Sequence, residues 1–196
     1  MAIAISTTSD GRRVAEFDLR DGDPLSAIAE ARTGGASLVW AYGGPELEEY
    51  GFLAAGTYCR LHAEHVPPGK PLPTSSSADL LYDLFDRGYC GLWGHKQVVR
   101  ERFDALADRP DLVHVVLDEV GVCRFEPADR LIDGPGVVVD AREPAVYARL
   151  VLGACAVLGE GPADLDSWGD APDVLAAYRA LGFDVVEQLD GYELLL

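Results

Sequence analysis

Arg142 and Arg149 flank the start of an apolar run, R-E-P-A-V-Y-A-R-L-V-L, in a chain where 33 acidic residues face 16 basic ones. They put local positive charge where there is little, although Arg149, two turns along, fits a solvated helix face better. Two carboxylates, Glu126 and Asp133, precede that run, and Tyr178 stands in A-x-Y-R-A-L-G-F close to the C-terminus. Other reactive types are badly placed. His62 and His65 in H-A-E-H are three apart on a strand-like stretch, so they would point to opposite faces, whereas a metal needs convergent ligands. Cys155 lies on an apolar helix face without a basic activator, and no G-x-S-x-G elbow occurs, so nucleophilic catalysis finds no support. In Y-G-G-P-E-L-E-E-Y-G the glutamates after the glycines would repel a phosphate; a turn with a solvated face is the reading.

Composition narrows the partners. With 48% hydrophobic residues, 196 residues suffice for one sizeable core or two small lobes. The formal charge of −17 repels nucleic acid and anionic membranes and favours a cationic small molecule. Cys59, Cys90, Cys123 and Cys155 form no C-x-x-C pair and follow no secretory leader, so reduced thiols in a cytoplasmic protein are expected. No apolar run is long enough for an ordinary spanning helix.

The elements that must position these residues read as follows. H-V-P-P-G-K-P-L-P-T-S-S-S-A-D lacks periodicity, as an exposed connection does, and divides the chain into a smaller lobe (1–65), a linker (66–77) and a larger domain (78–196). Ahead of it, Asp23 and Pro24 open a short helix, A-S-L-V-W-A-Y is a strand, P-E-L-E-E-Y a short helix and F-L-A-A-G-T-Y-C-R-L-H-A-E a strand. After it come helices S-A-D-L-L-Y-D-L-F-D-R-G and H-K-Q-V-V-R-E-R-F-D-A-L-A-D-R-P, a hairpin L-V-H-V-V-L-D/V-G-V-C-R-F-E-P, and a strand G-P-G-V-V-V-D. A buried helix starts at Pro144. Strand A-D-L-D-S-W, helix P-D-V-L-A-A-Y-R-A-L-G and strands F-D-V-V-E-Q-L and Y-E-L-L-L close the chain. This order predicts a mixed α/β fold, a sheet flanked by helices. The stretches S-L-V-W-A-Y-G-G-P-E-L-E-E-Y-G-F and D-L-D-S-W-G-D-A-P-D-V-L-A-A-Y-R-A-L-G-F share Trp, Pro, Tyr and Gly-Phe in order, which points to an internal duplication.

From about residue 75 onward, the strand, buried helix and A-x-Y-R-A-L-G-F ending resemble the C-terminal half of the GNAT N-acetyltransferases, with the N-terminal lobe as a partial repeat, an arrangement similar to tandem members of that family. The resemblance implies a twisted mixed sheet, acetyl-CoA as co-substrate and a small cationic amine as acceptor. The family's phosphate-holding R/Q-x-x-G-x-G/A loop has its counterpart in Val139-Asp140-Ala141-Arg142-Glu143-Pro144-Ala145-Val146-Tyr147. Arg142 fits the first position. Ala145 and Tyr147 replace small residues, and Pro144 removes an amide donor where donors are wanted. The resemblance makes the backbone of Val137, Val138 and Val139 the splayed edge for pantetheine, Tyr178 the acid that protonates the leaving thiolate, and Asp133 or Glu126 the base, though neither carboxylate has the family's usual offset. Each has a plainer alternative: an ordinary β-branched strand, a core aromatic, a solvated carboxylate.

Two functions follow. One is acyl-CoA-dependent transfer of an acetyl group to a small amine. The other is a non-catalytic GNAT-like binding or assembly module whose altered loop no longer holds the cofactor. A truncated repeat serving as a homo-oligomer interface is compatible with both.

Overall fold

The structure, a computed structural model, describes residues 3–107 and 109–196. It opens with a hairpin that the sequence pattern does not announce, β1 (Ile5–Thr7) and β2 (Arg13–Asp18), turning through Gly11 at φ 87°. Val14 and Ala15 are adjacent and both fully buried, so β2 lacks the polar/apolar alternation that marks a half-exposed strand. α1 (Pro24–Thr33) starts as expected: Asp23 accepts from the amide of Ser26, and Pro24 occupies the first position, where no amide partner is needed.

β3 (Leu38–Tyr42) is followed by a 3₁₀ turn, Pro45–Tyr50, closed by Gly51 at φ 87°, and by the long strand β4 (Leu53–Ala63). The next stretch runs along the molecule. Val116 donates to the Pro73 carbonyl, Ser75 to that of His114, and Leu72 packs on Gly153. α2 (Ala78–Tyr89) is capped by Ser77. The following helix, expected from His95, is only α3 (Arg100–Ala107). Residues 95–97 are committed elsewhere: Lys96 bridges to Thr8, and Gln97 donates to the Thr7 carbonyl.

β5 (Val113–Leu117) and β6 (Gly121–Glu126) form the expected hairpin. G-P-G-V-V-V-D does not form the continuous strand expected of it. After β7 (Leu131–Ile132), only β8 (Gly136–Val137) is extended, and Val139–Ala141 is a 3₁₀ turn. α4 (Pro144–Leu158) buries Tyr147, Leu150, Val151, Ala154 and Cys155, an i, i+3, i+4, i+7, i+8 stripe. The larger apolar side chains among them each contribute roughly 1.5–3 kcal/mol if fully withdrawn from water. β9 (Ala163–Trp168), α5 (Pro172–Ala180) and β10 (Asp184–Leu195) complete the chain. The two closing strands expected from sequence are one strand, with its register shifting after Gly191.

All ten strands described form a single sheet in the order β1-β2-β3-β10-β4-β9-β7-β6-β5, with β8 beside β6. Its centre is symmetric in pattern. Parallel β2 and β3 adjoin antiparallel β10 and β4, and then parallel β9 and β7. β10 lies between two strands from the first 65 residues, and β4 lies between β10 and β9. Alternation assigns the faces: Val115 and Cys123 pack against α4, while Val116 and Val122 pack against α2 and α3. In β3, Val39 and Ala41 meet α1, while Leu38 and Trp40 meet Trp93 from the loop after α2. Among the described residues, no helix is long and apolar enough to cross a membrane.

Candidate functional site

β7 and β9 pair only at Leu131–Asp164 and Ile132–Leu165; then the strands part, β8 turning to β6 while β9 continues beside β4 to Trp168. The divergence opens a cleft of about 430 Å³ lined by Gly134, Pro135, Trp168 and Asp170, with Tyr42 and Tyr89 among its walls. Its arms are tied by the end of α2 and the loop that follows it. Tyr89 donates to the Gly134 carbonyl at 2.7 Å, and His95 Nε2 donates to the Trp168 carbonyl at 3.1 Å. The two rings stack, 4.1 Å apart and 7° from parallel.

Asp170 is the notable charge here. Gly169 turns the chain at φ 69°, where a Cβ would lie 2.6 Å from the Trp93 carbonyl oxygen, and the turn directs Asp170 into the protein. Its Oδ2 accepts from Ser167 Oγ at 2.7 Å and from the Tyr178 hydroxyl at 3.3 Å. Burial pushes its pKa up to about 6, although Ser167, Tyr178 and the charge of Arg142 favour the ionised form. The remaining cleft charges are paired: Lys96 with Glu16 at 2.7 Å, and Arg124 with Asp133. Burial and the nearby Arg142 hold His95 down to about 4, so it is neutral near pH 7.

The sequence candidates fall around this cleft unevenly. Tyr178 is fully buried on α5 with its hydroxyl on Asp170; burial and that carboxylate push its phenol well above the usual range, so it stays protonated. Asp133 lines the cleft with its carboxylate held by Arg124, whereas Glu126 lies opposite Leu131 in the sheet. Val137 is buried and paired with Gly121, Val138 donates to the Val120 carbonyl, and Val139 is exposed on the 3₁₀ turn. Arg142 points inward: Nε donates to the Val137 carbonyl at 3.0 Å, and Nη2 donates to the carbonyls of Gly88 at 3.0 Å and Cys90 at 2.7 Å. Arg149 binds the carbonyls of Lys70 and Pro71.

At the start of α4 the donors do not suit a pyrophosphate. Glu143 caps the helix with no side-chain hydrogen bond to it, and Pro144 has no amide hydrogen. The amides of Val146 and Tyr147 already bond to the Glu143 carbonyl. The Tyr147 ring is sunk in the core, where burial pushes its phenol up to about 12. Acetyl-CoA therefore lacks the basic, amide-rich cradle that its phosphates require, and no acyl-transfer step follows from these residues. Among the described residues, no group of three His, Cys, Asp or Glu could hold a metal ion. His62 bonds to Asp164 on the sheet face, and the four cysteines are free thiols.

Asp170 is absent from the sequence candidates. Its one signal is its place after Trp168-Gly169 and before the proline that opens α5, a strand-to-helix turn.

No protein-family model matches the chain, and no curated protein matches its sequence. Solved structures do match in fold. A candidate acetyltransferase from Pyrococcus horikoshii has a TM-score of 0.61 at 9% identity, over 99% of this chain and 69% of that one. An Enterococcus faecalis protein of unknown function, suggested to be an N-acyltransferase, has 0.61 at 11% identity, over 98% and 57%. A GCN5-related N-acetyltransferase from Anabaena variabilis has 0.57 at 11% identity, over 98% and 59%. The chain thus spans only part of the length of these neighbours. The likeness is one of fold: this is the mixed sheet, flanked by helices, of the GCN5-related (GNAT) N-acetyltransferases.

Proposed function

We propose that this GNAT-fold chain is a binding module that has given up acyl-CoA. The observation that carries this is Arg142. The guanidinium that would meet a phosphate is spent on three backbone carbonyls inside the protein. A glutamate and a proline at the same helix entry work in the same direction, and the net charge of −17 opposes an anionic cofactor over the whole surface. The cleft survives this loss because Tyr89 and His95 hold its two arms from within. Its ligand is a small cation, in keeping with the charge. The palindromic strand order supports reading residues 1–65 as a partial repeat of 78–196 across the 66–77 connection.

The test is a thermal-shift and calorimetric titration with acetyl-CoA. At about 100 times a dissociation constant a true ligand adds on the order of 2.7 kcal/mol to stability, several degrees in Tm for a chain of this size. The expected result at millimolar acetyl-CoA is no shift and no heat. Saturable binding, or thiol release with any of a panel of amines, would restore the acetyltransferase reading.

A further inference from the structure

One carboxylate lining the cleft has no cation bonded to it. Glu16 and Asp133 are neutralised by Lys96 and Arg124, and the carbonyls of Gly134 and Trp168 are taken by Tyr89 and His95. Asp170 remains. Both hydrogen bonds to its carboxylate fall on Oδ2, and no described residue donates to Oδ1. Arg142 contributes its field but donates to carbonyls. A half-buried carboxylate lining a cleft, with no cation bonded to it, costs stability unless something positive comes to it.

The walls beside it are aromatic. Tyr42 and Trp168 stand 85° apart with centroids separated by 6.4 Å, forming a corner, and Tyr89 also lines the cleft. We propose that this cleft binds a small methylated ammonium ion, its charge met by Asp170 and its methyl groups lying against Tyr42 and Trp168. This rests on the binding-module reading only in that the ligand is held and not acylated. A primary ammonium brings three N–H donors and a tightly held hydration shell that aromatic walls cannot replace. A quaternary or tertiary ammonium brings at most one donor, sheds its weaker hydration more readily, and is attracted by ring faces. At about 430 Å³ the space suits a ligand of this size.

The full chain would be titrated with tetramethylammonium and with choline, following tryptophan fluorescence, at ionic strength held constant with sodium chloride. The neutral isostere of choline, 3,3-dimethylbutan-1-ol, and methylammonium serve as comparisons. Saturable quenching by the two quaternary ions is expected, with at least tenfold weaker binding of the alcohol and of methylammonium. Asp170→Asn should weaken choline binding at least tenfold, and Trp168→Leu should also weaken it. Should Asp170→Asn not fold, the choline/alcohol ratio in the unmodified protein tests the charge and Trp168→Leu tests the wall. Equal binding of alcohol and choline, preference for methylammonium, or no saturation at tens of millimolar would overturn the proposal. Binding of acetyl-CoA would overturn the preceding reading and leave this one standing.

Discussion

One buried and one half-buried histidine give the protein a pH dependence that can be worked out at the scale of single residues. Burial holds His95 and His114 down to about 4 each, with the charges of Arg142 and Arg124 adding to the effect. In the unfolded chain both titrate near the ordinary value of about 6.5, so between about pH 6.5 and 4 the unfolded state binds more protons. Stability from keeping them neutral is whole above that window and is lost as pH falls through it. Asp170 acts with the opposite sign, because its folded pKa of about 6 lies above the unfolded one and its ionised form is the disfavoured one. Two groups outweigh one, so urea midpoints should fall from pH 7 to pH 4 by the equivalent of a few kcal/mol, since each tenfold change in a group's proton affinity on folding is worth about 1.4 kcal/mol. In a His95→Gln/His114→Phe variant the slope between pH 6 and 5 should flatten or reverse, leaving Asp170 in control. An unchanged slope would mean that the two imidazoles already titrate normally in the folded protein.

Among the elements, α2 and β8 are joined by one side chain. Arg142 satisfies Gly88 and Cys90 at the end of α2 and Val137 at the end of β8, three carbonyls otherwise without this partner in the interior. Arg142→Met keeps much of the stem and removes every donor. It should cost about 2–3 kcal/mol, the scale of leaving buried acceptors unpaired, measured as a shift of the urea midpoint at unchanged slope. A phosphate-binding arginine on a solvated loop would be replaced with almost no effect on stability. The loop between α2 and α3 is similarly fixed from outside its own sequence. The Trp93 ring lies over Gly56 and Gly191, where a Cβ on Gly191 would come within 2.0 Å of it, so strand, glycine and indole are mutually required.

For the molecule as a whole, the decisive feature is that neither half owns its sheet. β10 pairs with β3 on one side and β4 on the other, and β4 also pairs with β9. Cutting the chain at 66–77 would leave β3 and β4 of the first fragment with an empty strand position between them, and β10 and β9 of the second likewise. Fragments 1–65 and 78–196 should therefore show no cooperative thermal transition alone by circular dichroism, and should regain one when mixed or co-expressed. Independent folding of 78–196 would show that β4 is dispensable to it.

Elements with local signals were legible in the chain before folding: α1 from Asp23-Pro24, the stripe of α4, the hairpin of β5 and β6, and the strand–helix–strand ending that carries the resemblance to the GNAT fold. These depend on caps, turns and periodicity, which act within a few residues. The remainder depended on partners supplied by distant segments. Val137 stayed extended beside β6, but Val138 turned to the Val120 carbonyl and Val139 entered a 3₁₀ turn, and residues 95–97 left the expected helix because β1 offered them partners. Arg142 turned inward because the end of α2 brought unpaired carbonyls to it, and Asp170 became the cleft's open charge because the other carboxylates lining it, Glu16 and Asp133, met a cation from another segment. A side chain's type is written in the sequence, but whether its hydrogen-bonding capacity is spent or free is set by what the fold brings within about 3 Å of it.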